Sequence, residues 1–172
     1  QPELQVIQVV RDEGTAKQAV IPFKMDSKGI YTGEKEDQPP KYFIRLELEP
    51  GVYTVRGMSA MGRAFPIISN FYVPLHSPLK VEGVGIAYLG SVQATVRERV
   101  GEEFRAGTLI PLIDQAVAGA STGTFDVVIA DRFDEDLAQF RKLFPGLGQQ
   151  PVARSLLPPF DRAKAQAWWQ AN

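Results

Sequence analysis

His76 is the one histidine of the 172-residue chain, and in "VPLHSPLK" it stands beside Ser77. A hydroxyl next to an imidazole is the first place to look for nucleophilic catalysis. That chemistry needs a base within hydrogen-bond reach of the nucleophile and a third group to orient the base. No second histidine exists, and Pro74 and Pro78 bracket the pair, so the stretch reads as an exposed loop with His76 on the surface. "SPLK", Ser77 to Lys80, matches the Ser-x-x-Lys signature of penicillin-binding enzymes. There the serine opens a helix, the lysine lies one turn on, and Ser-x-Asn and Lys-Thr-Gly elements complete the site. Neither element is present, and "LKVEGVG" reads as strand. The expectation is that no residue is catalytic.

Four acidic residues, Asp131, Asp134, Glu135 and Asp136, crowd "DRFDEDL". A calcium loop spaces its oxygen ligands at alternate positions around a glycine, and this stretch has neither feature. It fits the start of a helix instead, with Asp131 as N-cap and an acid three residues on, as in a capping box. The glycines at 83, 85 and 90 do not precede a helix in the manner of a phosphate-cradling loop. "RERVGEEFR" mixes charge signs and reads as an exposed hairpin. The composition points to no metal site and no cofactor. Trp168 and Trp169 are the only tryptophans, and they end a short amphipathic segment that begins near Phe160. A tryptophan pair there either docks back on the body of the chain or anchors a partner, where tryptophan is a favoured hot-spot residue. Phe160, Trp168 and Trp169 are therefore the candidate protein-interaction residues.

Composition narrows the classes. Lys and Arg number 19 against 20 for Asp and Glu, a net charge of −1, so no basic stripe serves a nucleic-acid backbone. At 44% hydrophobic residues the chain has material for a core. It contains no cysteine, which removes disulfide scaffolds, thiol catalysis and Cys-ligated metals. No apolar run approaches the roughly 18 residues a membrane-spanning helix needs. The sequence opens on "QPELQV" without Met, which fits the removal of a signal peptide or lipid-attachment segment; an arbitrary boundary is the alternative.

The elements that would position these residues are mostly strands. Gln5–Val10 and Gln18–Lys24 predict a hairpin around Gly14. The polar, Pro-Pro-containing stretch from Asp26 to Lys41 predicts a loop. "KYFIRLELEPGVYTVRGM" alternates, with Ile44, Leu46 and Leu48 on one side and Arg45, Glu47 and Glu49 on the other, the pattern of a half-covered strand. Pro50-Gly51 predicts a corner in which Gly51 takes a positive φ, after which Tyr53 and Val55 resume the inward face. A tyrosine just past such a corner buries its ring and sends its hydroxyl to loop backbone. Pro66, Pro74 and Pro78 confine further short strands to edges or ends. "GIAYLGSVQATVRERV" predicts the longest strand, with Ile86, Tyr88, Val92, Ala94 and Val96 on one face and a bulge at Gly90. "RVGEEFRAG" reverses it into a hairpin, "IPLIDQAVAG" has the spacing of a short helix, and "GTFDVVIAD" returns to strand with Phe125, Val127 and Ile129 inward.

Beyond Asp131 the periodicity changes. Phe133, Leu137, Phe140 and Phe144 form one helical stripe, closed by Pro145-Gly146. A Pro-rich linker follows, then a second helix, "DRAKAQAWWQ", capped by Asp161. The division expected is a β-sandwich domain over 1–131 and a C-terminal helical extension over 132–172.

Leu48, Pro50, Gly51 and Tyr53, followed by Tyr88, Leu89 and Gly90, resemble the paired motifs of transthyretin-like (prealbumin-like) β-sandwich domains found in predicted bacterial envelope lipoproteins of unassigned function. The resemblance covers roughly residues 40–98. It implies a mainly β, two-layer antiparallel sandwich and a periplasmic or outer-membrane-associated location. It also implies a non-catalytic structural or accessory role, as a subunit of a larger assembly. The partner expected is another envelope protein or a second copy, with no nucleic acid, no membrane span and a lipid anchor upstream of residue 1. A carbohydrate- or small-ligand-binding module is the alternative, marked by an aromatic platform on a concave face. A hydrolase is the third reading, marked by a pocket joining His76 to a buried carboxylate.

Overall fold

The computed structural model describes residues 2–12, 14, 19–31, 40–64, 67–107 and 119–172. Among the described residues the fold is mainly β, its strands paired antiparallel except in one short parallel pair, with two helices late in the chain. In order along the chain the strands are β1 (Glu3–Arg11), β2 (Val20–Lys24), β3 (Ile30–Tyr31), β4 (Lys41–Tyr42), β5 (Gly51–Ala64), β6 (Ile67–Val81), β7 (Ile86–Tyr88), β8 (Ser91–Glu98) and β9 (Gly123–Ala130). The helix α1 (Phe133–Leu143), the strand β10 (Val152–Arg154) and the helix α2 (Arg162–Ala171) follow.

The first hairpin forms as its alternation predicts, with Ile7 opposite Phe23 and Val9 opposite Ile21. It joins a four-stranded sheet in the order β2-β1-β5-β6. The stretch expected to hold several short strands is one strand, β6, paired with β5 from Gly51↔Val81 to Ala64↔Ile67. Pro74 and Pro78 are tolerated because β6 is the edge strand, where a missing donor costs no ladder bond. Two irregularities coincide at Arg56: the register slips there against β1 and again against β6, where Leu75 and His76 oppose one residue. His76 absorbs the second slip with φ +47, the one positive φ at a non-glycine residue among those described.

At the corner before β5 the tyrosine behaves as expected: Tyr53 is 2% exposed and its hydroxyl donates to the Glu49 carbonyl at 2.8 Å. Gly51 does not. Its φ is not positive; Gly51 simply opens β5, and the turn is made by Pro50 with the tyrosine bond behind it. The segment expected as the longest strand is broken at Gly90, whose φ of +103 redirects the chain between β7 and β8. β7 pairs in parallel with β10, and β8 pairs antiparallel with β9. "RVGEEFRAG" does not supply a hairpin strand. After a turn at Gly101 it runs to the outer edge of β6, where Tyr72 N–H donates to Ala106 O at 2.9 Å. Of the helix expected over "IPLIDQAVAG", residues 110–118 lie outside the described residues, as does Pro66.

Both late helices form. The N-cap position of α1 is Arg132, not Asp131, although Asp131 still accepts from Phe133 N–H at 3.0 Å. Asp161 caps α2 through Lys164 N–H at 2.9 Å. Arg162 of α2 reaches Asp126 of β9 at 2.8 Å and Glu103 at 3.2 Å, while Arg97 of β8 bonds the same two acids. The Arg97 guanidinium and the Val100 N–H hold the Glu103 carboxyl at a pKa of about 2.

A single hydrophobic cluster joins the parts. Ile7, Val9, Tyr53, Val55, Phe71, Val73, Leu75 and Leu79 come from the four-stranded sheet, Phe104 from the stretch before β9, Phe125 from β9, and Leu157 and Ala165 from later segments. Phe71 and Phe125 meet edge-on with ring centres 6.3 Å apart.

Candidate functional site

The apolar alternation of β5 and β6 turns Val55, Met58, Val73, Leu75 and Leu79 to one side of the sheet, and part of that surface is not closed over. It forms one wall of a cleft of about 2620 Å³. A second wall is the run from Lys41 to Pro50, which brings Ile44, Leu46 and Leu48 inward. Residues 91–96 of β8 line a third side, and Leu137, Phe140 and Phe144 from α1 and its end close another. Packed interiors hold few voids larger than a water molecule, and ligand pockets commonly measure about 300–1,000 Å³. A cleft of this size is far larger than a packing void, and its walls mix apolar side chains with charged ones at the rim.

Its most buried polar feature joins β7 to α1. Tyr88 donates its hydroxyl to Asp136 at 2.6 Å, and both residues are 8% exposed. The same oxygen accepts from Arg132 N–H at 3.2 Å. Burial, and then the Asp136 bond, push the Tyr88 phenol well above the usual tyrosine range, so it stays protonated. The other acids of "DRFDEDL" are taken up by cations: Asp131 and Asp134 by Arg154 at 3.2 and 3.5 Å, Glu135 by Arg132 and Lys41. Among the described residues no three His, Cys, Asp or Glu side chains cluster as metal ligands would.

His76 is not the surface loop residue the sequence suggests. It lies within β6, 8% exposed, with its ring 4.9 Å from that of Trp168. The reason is long-range: α2 packs against β6, and Lys164 Nζ donates to the His76 carbonyl at 2.8 Å. Burial lowers its pKa first, and the neighbouring Lys164 and Arg56 cations lower it further. Its Nε2 and the Ser77 Oγ are both buried without a hydrogen-bond partner among the described residues. Asp136 lines the cleft and His76 does not, so the two do not share this pocket.

The three residues picked out at the C-terminal end turn much of their surface to the chain itself. Phe160 and Trp169 pack against the core cluster, with Arg99 over the Trp169 ring at 5.7 Å. Trp168 lies 5.4 Å from the Tyr72 ring on one side and against His76 on the other. What the sequence alone does not disclose is the cleft. Its nearest sequence sign is the alternation of 44–48, which marks an apolar face without saying how far away the opposing surface stands. No helix among the described residues is long and apolar enough to cross a membrane. No family model matches the chain, and neither a curated protein nor a solved structure shows significant similarity to it.

Proposed function

We propose that this chain is a non-catalytic accessory protein of a bacterial envelope whose task is to hold an apolar partner in the cleft beside the four-stranded sheet. The cleft carries the reading: a space of about 2620 Å³ with Ile44, Leu46, Leu48, Val92 and Leu137 on its walls leaves much apolar surface uncovered. A two-layer, transthyretin-like sandwich is part of the same proposal. The core shared between β9 and the four-stranded sheet supports it, as does the tyrosine corner at Tyr53. The periplasmic or outer-membrane-associated location rests on the resemblance carried by Leu48, Pro50, Gly51, Tyr53, Tyr88, Leu89 and Gly90.

The test is titration with a dye that fluoresces only in apolar surroundings, repeated on Leu46→Lys and Val92→Lys. Circular dichroism accompanies each variant, to separate a blocked cleft from an unfolded chain. Saturable enhancement that both folded variants abolish is the expected result. No enhancement with the native protein, or enhancement untouched by both variants, overturns the reading. Fractionation of cells carrying the full-length gene tests the location, and a wholly cytoplasmic protein refutes it.

A further inference from the structure

We propose that the occupant of the cleft is an extended polypeptide segment, added as a β-strand between residues 43–49 and the free edge of β8; this rests on the binding role proposed above. A strand that shows a cleft one face contributes alternate residues to its lining. Here the lining is consecutive, residues 40–50 on one side and 91–96 on the other, so the cleft meets more than one face of each segment.

The first edge, residues 43–49, is not assigned as a strand, although its exposure alternates as a strand's does. Ile44, Leu46 and Leu48 are partly buried against the core while Arg45, Glu47 and Glu49 are exposed, the two-residue period of a sheet. Yet the main chain of 44–48 makes no hydrogen bond among the described residues; the neighbouring bonds are those of Phe43 N–H to Gly29 and of Tyr53 to the Glu49 carbonyl. The second edge is β8, whose ladder among the described residues is with β9 alone. Main-chain N–H and C=O groups beside an apolar surface require partners, and leaving them unpaired is costly. An acyl chain fills volume but offers neither donor nor acceptor. An extended peptide supplies both, along both of its edges, and its alternate side chains enter the apolar floor.

The experiment uses the whole chain, a peptide of about eight residues alternating valine with threonine, and the same peptide N-methylated along one edge. Hydrogen exchange is followed residue by residue. In the free chain the amides of 44–48 are expected to exchange fast. The unmodified peptide should then slow exchange in 44–48 and in β8 amides that β9 leaves open. The methylated peptide should bind at least about tenfold more weakly. Protection of 44–48 already present in the free chain overturns the proposal, because those edges would then be paired. Equal affinity of the two peptides overturns it as well. Protection that appears without peptide as protein concentration rises assigns the slot to a second copy and overturns the peptide assignment. Dye displaced by a fatty acid but not by the peptide refutes the strand while leaving the binding role intact; dye that never enters removes both.

Discussion

Replacing Tyr88 by phenylalanine deletes one oxygen from the wall of the cleft and leaves the ring in place. The ring keeps its edge contact with Phe133, 5.5 Å between centres, so any loss reports on the hydroxyl. That oxygen donates to Asp136 at 2.6 Å and accepts from Arg132 N–H at 3.2 Å. A hydrogen bond to a charged group contributes about 1.5–3 kcal/mol. Because Asp136 borders the cleft, water can replace part of what is lost, which sets the expected cost near 2 kcal/mol. For a chain of this size that is a fall in melting midpoint of roughly 4–8 °C. Urea unfolding of Tyr88→Phe, Asp136→Leu and the double variant should give a coupling energy above about 1 kcal/mol with unchanged m-values. The phenol adds a pH arm. Its folded pKa lies above the unfolded value of about 10, so native stability from this group is intact below that pH and declines as pH rises past it. Tyr88→Phe should lack that part of the decline. Additive single effects, with coupling under about 0.5 kcal/mol, would show that the bond does not tie α1 to β7 and refute the argument.

His76 is held below its ordinary pKa, so the unfolded chain takes up a proton more readily than the folded one. Stability should therefore be complete above about pH 6.5 and fall as pH drops through that value; His76→Asn, which tolerates the positive φ, should flatten this part of the pH profile. Trp168→Ala should cost about 1–2 kcal/mol, since the indole is partly buried between Tyr72 and His76. Native tryptophan emission should be blue-shifted at every protein concentration, and a shift that appears only on association would contradict docking within one chain. Gly57→Ala should destabilise by about 1–3 kcal/mol, because a Cβ there meets the Val73 carbonyl and stands 2.6 Å from the Tyr72 hydroxyl oxygen. Gly83→Ala, with nothing within 4 Å, is the neutral control, and equal melting midpoints for the two would refute the crowding.

Local pattern carried the strands where both partners lie close in sequence, whereas the plainly alternating 43–49 forms no strand because no neighbour among the described residues takes up its ladder. The β1–β2 hairpin, the Tyr53 corner, the Phe133–Phe144 stripe and the Asp161 cap were all legible from residue type and spacing. Prolines 74 and 78 were read correctly as edge residues but wrongly as strand breakers, since an edge strand can continue through a residue whose missing donor would face outward. His76 was misplaced because what buries it is an indole and a lysine brought by α2, a contact across 88 residues that no local window contains. The cleft was illegible for a related reason. Alternation says which face of 44–48 is apolar, but the separation of that face from β8 is a property of the assembled sheets.

The way α2 and its approach meet the rest of the molecule constrains the order in which the chain can fold. The β5–β6 pair joins strands nearly adjacent in sequence and has little loop entropy to overcome. The contacts of α2 close far larger loops, 62 residues for Gln166 to Phe104 and 88 for Lys164 to His76. Leu157 and Ala165 supply part of the common core, so that core stays incomplete until those residues have been synthesised and have returned. A nascent chain halted before them carries Phe104 and the aromatic edge of β6 without their cover, the kind of surface that recruits chaperones or aggregates. Completion of this core thus waits on α2, and substitutions in α2 should accelerate unfolding more than they slow the formation of the β5–β6 pair.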